Sequence, residues 1–198
     1  YGDNSLLGND FQNEINWNEI NPYTQLMVNY KGSALNLNVT LPMNFYGMDY
    51  KDVLRNKDTE TSKTVFEPSL WASYDFASFW KIWAFGNLGY DFGSFGSVYD
   101  GFVLTNPRAL GNRNSTLLPE NRTLNATSRL EYRNPLNNLF FNIRYTYADF
   151  NKNIISATKR FESGAATTSL VYEDNNSYSQ SEGAEIGKYF PKFKTNAS

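Results

Sequence analysis

The chain has 198 residues, a net charge of −2, and neither cysteine nor histidine. That excludes disulfides, thiolate nucleophiles and Ser-His-Asp chemistry, and removes the usual zinc ligands. The weak net charge without a basic stripe excludes a nucleic-acid partner, and we expect no catalytic residue, no metal site and no cofactor, since carboxylates such as Glu120 and Glu131 would work as a glycosidase pair only if brought together in space.

Along the chain the dominant signal is alternation of apolar and polar residues, the period of a strand with two different faces. Residues 23–30 turn through Lys31, Gly32 and Ser33 into 34–45, where Leu35, Leu37, Val39 and Leu41 oppose Asn36, Asn38 and Thr40. A long polar connection, 46–65, follows. Residues 66–76 place Pro68, Leu70, Ala72, Tyr74 and Phe76 against Glu67, Ser69, Trp71, Ser73 and Asp75. After a turn near Ala77, residues 80–92 carry Ile82, Ala84, Leu88, Tyr90 and Phe92 against Lys81, Asn87 and Asp91. A second long connection spans 93–121. The hairpin over 122–147 is the clearest: Leu124, Ala126, Leu130 and Tyr132 share one face, and after Asn134-Pro135-Leu136-Asn137 the register resumes with Leu139, Phe141, Ile143, Tyr145 and Tyr147. A last pair is predicted at 167–172 and 178–190.

These readings predict an all-β chain, an antiparallel meander of about eight strands forming one segment over residues 1–198. Strands of about 6 to 13 residues suit a tilted crossing of a bilayer. Short joins alternating with long ones are the pattern of an outer-membrane barrel, tight on the periplasmic rim and long outside. The two long connections are then extracellular loops. With short turns on the periplasmic side, the predicted strands start and finish outside, whereas bacterial barrels start and end in the periplasm. The chain is therefore expected to be a piece of a larger transmembrane β-barrel, which in isolation would close as a small barrel, pair its edges or collapse into a sandwich. Tyr90, Phe92, Tyr132, Tyr145 and Tyr147 fall near strand ends, which puts some of them in an interfacial aromatic girdle in a membrane barrel. Trp71, Trp83, Phe85 and Phe140 break the pattern on the polar face.

Three ordered landmarks add to this reading. They are Glu67-Pro68-Ser69-Leu70 followed by Ser73-Tyr74; Gly111-Asn112 followed by Leu117-Leu118-Pro119-Glu120; and Asn175 or Asn176 followed by Gly183-Ala184-Glu185. From Phe66 onward the chain resembles, in these landmarks, the barrel of TonB-dependent outer-membrane receptors, as found in glycan and nutrient importers. The resemblance implies a wall segment of a receptor importing a glycan or metal chelate, located in the bacterial outer membrane. Its implied partners are outer-membrane lipid, a plug domain and the TonB complex, neither of which has a counterpart segment here. The alternative from the same alternation is a secreted or surface-displayed β-sandwich that binds carbohydrate. Candidate ligand contacts lie in the two long connections: Tyr46 and Tyr50 in the first, and Phe95, Tyr99, Asp100, Phe102, Arg108 and Asn112 in the second. Aromatic faces with Asp, Asn and Arg beside them suit a sugar ring.

Overall fold

Alternating segments this long have every second side chain apolar, so they fold as extended ladders with two chemically distinct faces. The computed structural model describes residues 14–94, 100–106, 109–114, 118–160, 166–192 and 195–197, and among these the chain is all-β, in one sheet. Its strands are β1 (Ile15–Ile20), β2 (Tyr23–Lys31), β3 (Leu35–Asp52), β4 (Lys57–Phe66), β5 (Ser69–Ala77), β6 (Trp80–Asp91), β7 (Asp100–Asn106), β8 (Ala109–Asn114), β9 (Asn121–Asn134), β10 (Leu139–Arg160), β11 (Ala166–Phe190) and β12 (Thr195–Ala197). The strand order along the sheet is β1-β3-β5-β6-β9-β10-β11-β8-β7, and the sheet does not close on itself.

Twelve described strands replace the eight expected, partly because prolines interrupt continuous lines. β1 and β2 lie along the same edge of β3 in one register, from Ile15 opposite Asp52 to Lys31 opposite Asn36. β4 and β5 do the same on its other edge, from Lys57 opposite Asp52 to Tyr74 opposite Leu35. The breaks fall at Pro22 and Pro68. Proline has no N–H to donate, so each break keeps only half of a ladder pair with β3: Pro22 O accepts from Phe45 N at 2.9 Å, and Pro42 O of β3 accepts from Glu67 N at 3.2 Å. Counting lines instead of fragments, the main sheet has seven, and the seventh, β11, runs toward the short-turn rim instead of ending outside.

Three further expectations are corrected. Residues 46–65 are not an irregular loop, because β3 continues to Asp52 and turns through Val53–Asn56 into β4. The connection over 93–121 carries the hairpin β7–β8, and β8 pairs in parallel with the start of β11. The last predicted pair is one strand: β11 follows β10 over its whole length, with a bulge that sets Glu173 and Asp174 against Asn153. In all three places both faces of the ladder are polar or mixed, so backbone pairing persists where alternation does not mark it.

The registers bring the apolar face of all seven lines together, since residues directly opposite share a face. It comprises Leu26 and Val28 of β2, Leu37, Val39 and Leu41 of β3, Leu70 and Tyr74 of β5, Ile82 and Leu88 of β6, Leu124 and Leu130 of β9, Phe141 and Ile143 of β10, and Ile186 of β11. Among the described residues none of this face is buried: Leu37, Val39, Leu41, Leu88, Leu130 and Phe141 are half-buried, and the others are exposed, from Leu124 at 37% to Ile186 at 63%. Tyr74, Phe76, Trp80, Tyr132 and Phe79 form a continuous aromatic strip at its short-turn end, with Trp80 and Tyr132 at 4.9 Å. The buried hydrophobic residues are Met48, Tyr50 and Phe92, at the opposite rim. Phe92 is therefore not one of the girdle aromatics: it is buried, edge-on to Tyr46 at 4.8 Å and stacked on Tyr90 at 6.3 Å.

Candidate functional site

The polar face and the rim above it hold the groups that could meet a ligand. At the Pro68 break, β6 loses its partner strand beyond Asn87, and the Glu67 carboxylate fills the gap. Its Oε1 accepts from Tyr90 N at 2.6 Å, and its Oε2 accepts from the Asn44 amide and from Tyr46 Oη at 3.5 Å. Asn44, Tyr46 and Glu67 thus converge on the polar face, while Met43 and Phe45 occupy the apolar face of the same stretch of β3. Burial, and next the nearby Glu67 charge, raise the Tyr46 phenol above its ordinary value, so at neutral pH it stays a donor. A carboxylate, an amide and a phenol, backed by the buried Phe92 ring, make a polar cluster suited to hydroxyl-rich ligands.

A second cluster ties the segment before β9 to the sheet. Asn153 Oδ1 accepts from Glu120 N at 2.7 Å, and its Nδ2 donates to Leu118 O at 3.2 Å. The Glu120 carboxylate in turn meets Lys63 Nζ at 2.7 Å. The Leu118-Pro119-Glu120 landmark is therefore clasped between β10 and β4. At the tip of the β3–β4 hairpin, Asp52 is fully buried, accepting from Arg55 N at 3.0 Å and from Arg55 Nη1 at 2.8 Å. Burial alone would raise its carboxyl, but the Arg55 side-chain and backbone hydrogen bonds and charge outweigh it and hold it below the ordinary range. Beside this hairpin a groove of about 500 Å³ is lined by Asn18, Asp49, Lys51, Asp58 and Glu60.

The predicted contact residues separate. Tyr46 belongs to the Glu67 cluster, whereas Tyr50 is 7% exposed, opposite Trp17 and Thr59, and offers no face for stacking. Phe102 and Asn112 stand opposite each other in the β7–β8 pair, and Asp100 is opposite Asn114. That pair is at the far end of the strand order from β3, so the two groups do not meet along the sheet. Phe95, Tyr99 and Arg108 lie outside the described residues. Glu67 and Asn153 were missed as site residues. Glu67 had a signal, its place before a proline within a strand pattern; Asn153 had none, since its partners are remote in sequence.

No family model and no curated protein matches this sequence. Among solved structures, the siderophore receptor PirA from Pseudomonas aeruginosa aligns with it at 12% identity and a TM-score of 0.49, over 91% of this chain. The chain spans about two fifths of that receptor, 41% of its length.

Proposed function

We propose that the chain is a wall segment of a TonB-dependent outer-membrane receptor that imports a nutrient such as a glycan or metal chelate. The observation that carries this reading is the single apolar face shared by seven lines of strand with no second layer on it among the described residues. A contiguous exposed apolar surface of this extent marks a face that meets lipid or another macromolecule. Its height supports lipid. On β6 the apolar face runs from Trp80 to Tyr90, aromatic at both ends. Ten steps of about 3.3 Å, tilted by about 40°, span about 25 Å, the height of the lipid-facing band of such barrels. The sequence landmarks supply the family, and the Glu67 cluster supplies polar groups for ligand on the other side. A sandwich would need a second sheet on the apolar face. No catalytic role is proposed, because Glu120 and Glu131 are each engaged by a cation, Lys63 and Arg129.

The four tryptophans provide the test. By register, Trp80 lies on the apolar face, while Trp17, Trp71 and Trp83 lie on the other. In single-tryptophan variants reconstituted with brominated lipids, fluorescence of Trp80 is expected to be quenched strongly and that of Trp83 weakly. A chain that is a folded monomer without detergent, with Trp80 unquenched by lipid, overturns the reading.

A further inference from the structure

On the polar face, β9 and β10 set Arg129 directly opposite Arg144. Like charges in such positions repel, with Cβ atoms only about 5 Å apart. Their surroundings neutralise them only in part. Glu131 Oε1 is 3.0 Å from Arg129 Nε, yet that nitrogen is buried and has no hydrogen-bond acceptor, so Glu131 sits off the N–H direction and supplies charge without satisfying the donor. Glu185, one step further along β11, is taken by Asn142 Nδ2 at 2.8 Å. Among the described residues no carboxylate pairs with Arg144, whose side chain is exposed.

The neighbours in register frame this pair. Trp83 stands opposite Arg129 on β6, and Gly183 stands opposite Arg144 on β11. A Cβ built at Gly183 meets nothing within 4 Å, so the space over Arg144 is open. One row up, Thr127 and Thr146 face each other with hydroxyls 3.4 Å apart. Two guanidiniums and two hydroxyls lie side by side here, with the Glu131 carboxylate against one guanidinium only, and the planar fork of arginine matches the paired oxygens of carboxylate and phosphate.

We propose that Arg129 and Arg144 form an oxyanion site on the polar face, which takes a small solute bearing a carboxylate or phosphate, with Trp83 as the surface for an attached ring. The site does not depend on what covers the apolar face, so it stands or falls separately from the membrane assignment. The test is calorimetric titration of the full chain in detergent with inorganic phosphate and with phenyl phosphate, repeated at physiological salt. Phosphate binding is expected to fall about tenfold or more in Arg144→Gln, the loss of charge-assisted hydrogen bonds. Arg133→Gln, the same charge change on the same face, is expected to bind as the unaltered chain does. Gly183→Leu, which keeps both arginines and fills the open space, is expected to lose binding too, and Trp83→Leu to lose the preference for the phenyl ester. Circular dichroism checks that each variant keeps its strands. Absence of phosphate binding, equal weakening by Arg133→Gln, or loss of all binding at physiological salt overturns the proposal. So does capture of an acidic peptide by a chain that ignores phosphate, because the site would then serve another polypeptide.

Discussion

Asp52 shows how one side chain ends a hairpin. Its carboxylate binds the N–H and guanidinium of Arg55, and Asn56 then turns the chain at a φ of 50°, in the left-handed region that asparagine tolerates. Because its folded pKa is depressed, its contribution is complete above the unfolded value of about 3.9 and is lost as pH falls through the lower folded value. Asp52→Asn keeps an acceptor but loses the charge. The expected cost is about 1–2 kcal/mol, localised to the tip. Exchange protection at Arg55 and along β4, corrected for the intrinsic rate at each pH, should fall about tenfold in the variant, and that of the unaltered protein should fall likewise as pH drops from about 3.9 through the lower folded value. A second residue-scale fit explains Phe140, the aromatic that broke the polar pattern. Its ring lies over Gly187, directly opposite, where no side chain leaves room for it.

At the scale of the element, the prolines explain why strands so long are divided. Pro68 ends the β5–β6 ladder, and Glu67 replaces the missing strand carbonyl for Tyr90 N–H. Glu67→Ala is expected to cost about 1–2 kcal/mol, the price of an unmatched backbone donor and two lost side-chain contacts. Glu67→Gln should recover most of it. Urea unfolding in micelles, with exchange of the Tyr90 amide as the local readout, checks both; unchanged Tyr90 protection in Glu67→Ala would remove the role assigned to the carboxylate. The long strands have a parallel explanation. β10 has 22 residues, about twice what a bilayer crossing needs. Its alternation stops at Tyr147, although pairing with β9 and β11 continues to Lys152 and beyond. Past Tyr147 charged groups fall on both faces, as Asp149 and Lys152 do, so alternation no longer marks one face as apolar.

For the whole molecule, the decisive property is that one sheet has two chemically different faces, which the proposed function assigns to lipid and water. Ala84 lies midway along the apolar face of β6, between Ala72 and Ser128. Ala84→Arg in lipid vesicles is expected to destabilise the chain by about 2–4 kcal/mol, the cost of a charge near the bilayer midplane. Asn125→Arg on the polar face should cost about 0.5 kcal/mol or less. Denaturant unfolding of both variants in vesicles measures the difference, and equal costs would argue against lipid on the Ala84 face. The strand fragments visible in the sequence assemble into this sheet only through remote pairings. β6 joins β9 from Trp80 opposite Tyr132 to Asp91 opposite Asn121, bypassing the β7–β8 hairpin between them.

The sequence by itself determined which side chains are apolar, which face of each strand they occupy, and where the tight turns fall at Gly32, Ala77 and Asn134. It could do so because alternation records the contrast between two environments, residue by residue. Only the tertiary structure decided how far each ladder runs, that β1 and β2 share an edge of β3, and that Asn153 clasps Leu118 and Glu120. Backbone hydrogen bonds are the same for every residue but proline, so pairing leaves no trace in composition once both faces meet water. The candidate site was legible to the same degree. Tyr46 could be singled out from its type and place, but Glu67 beside it, and Arg129 opposite Arg144, became neighbours only when register was set.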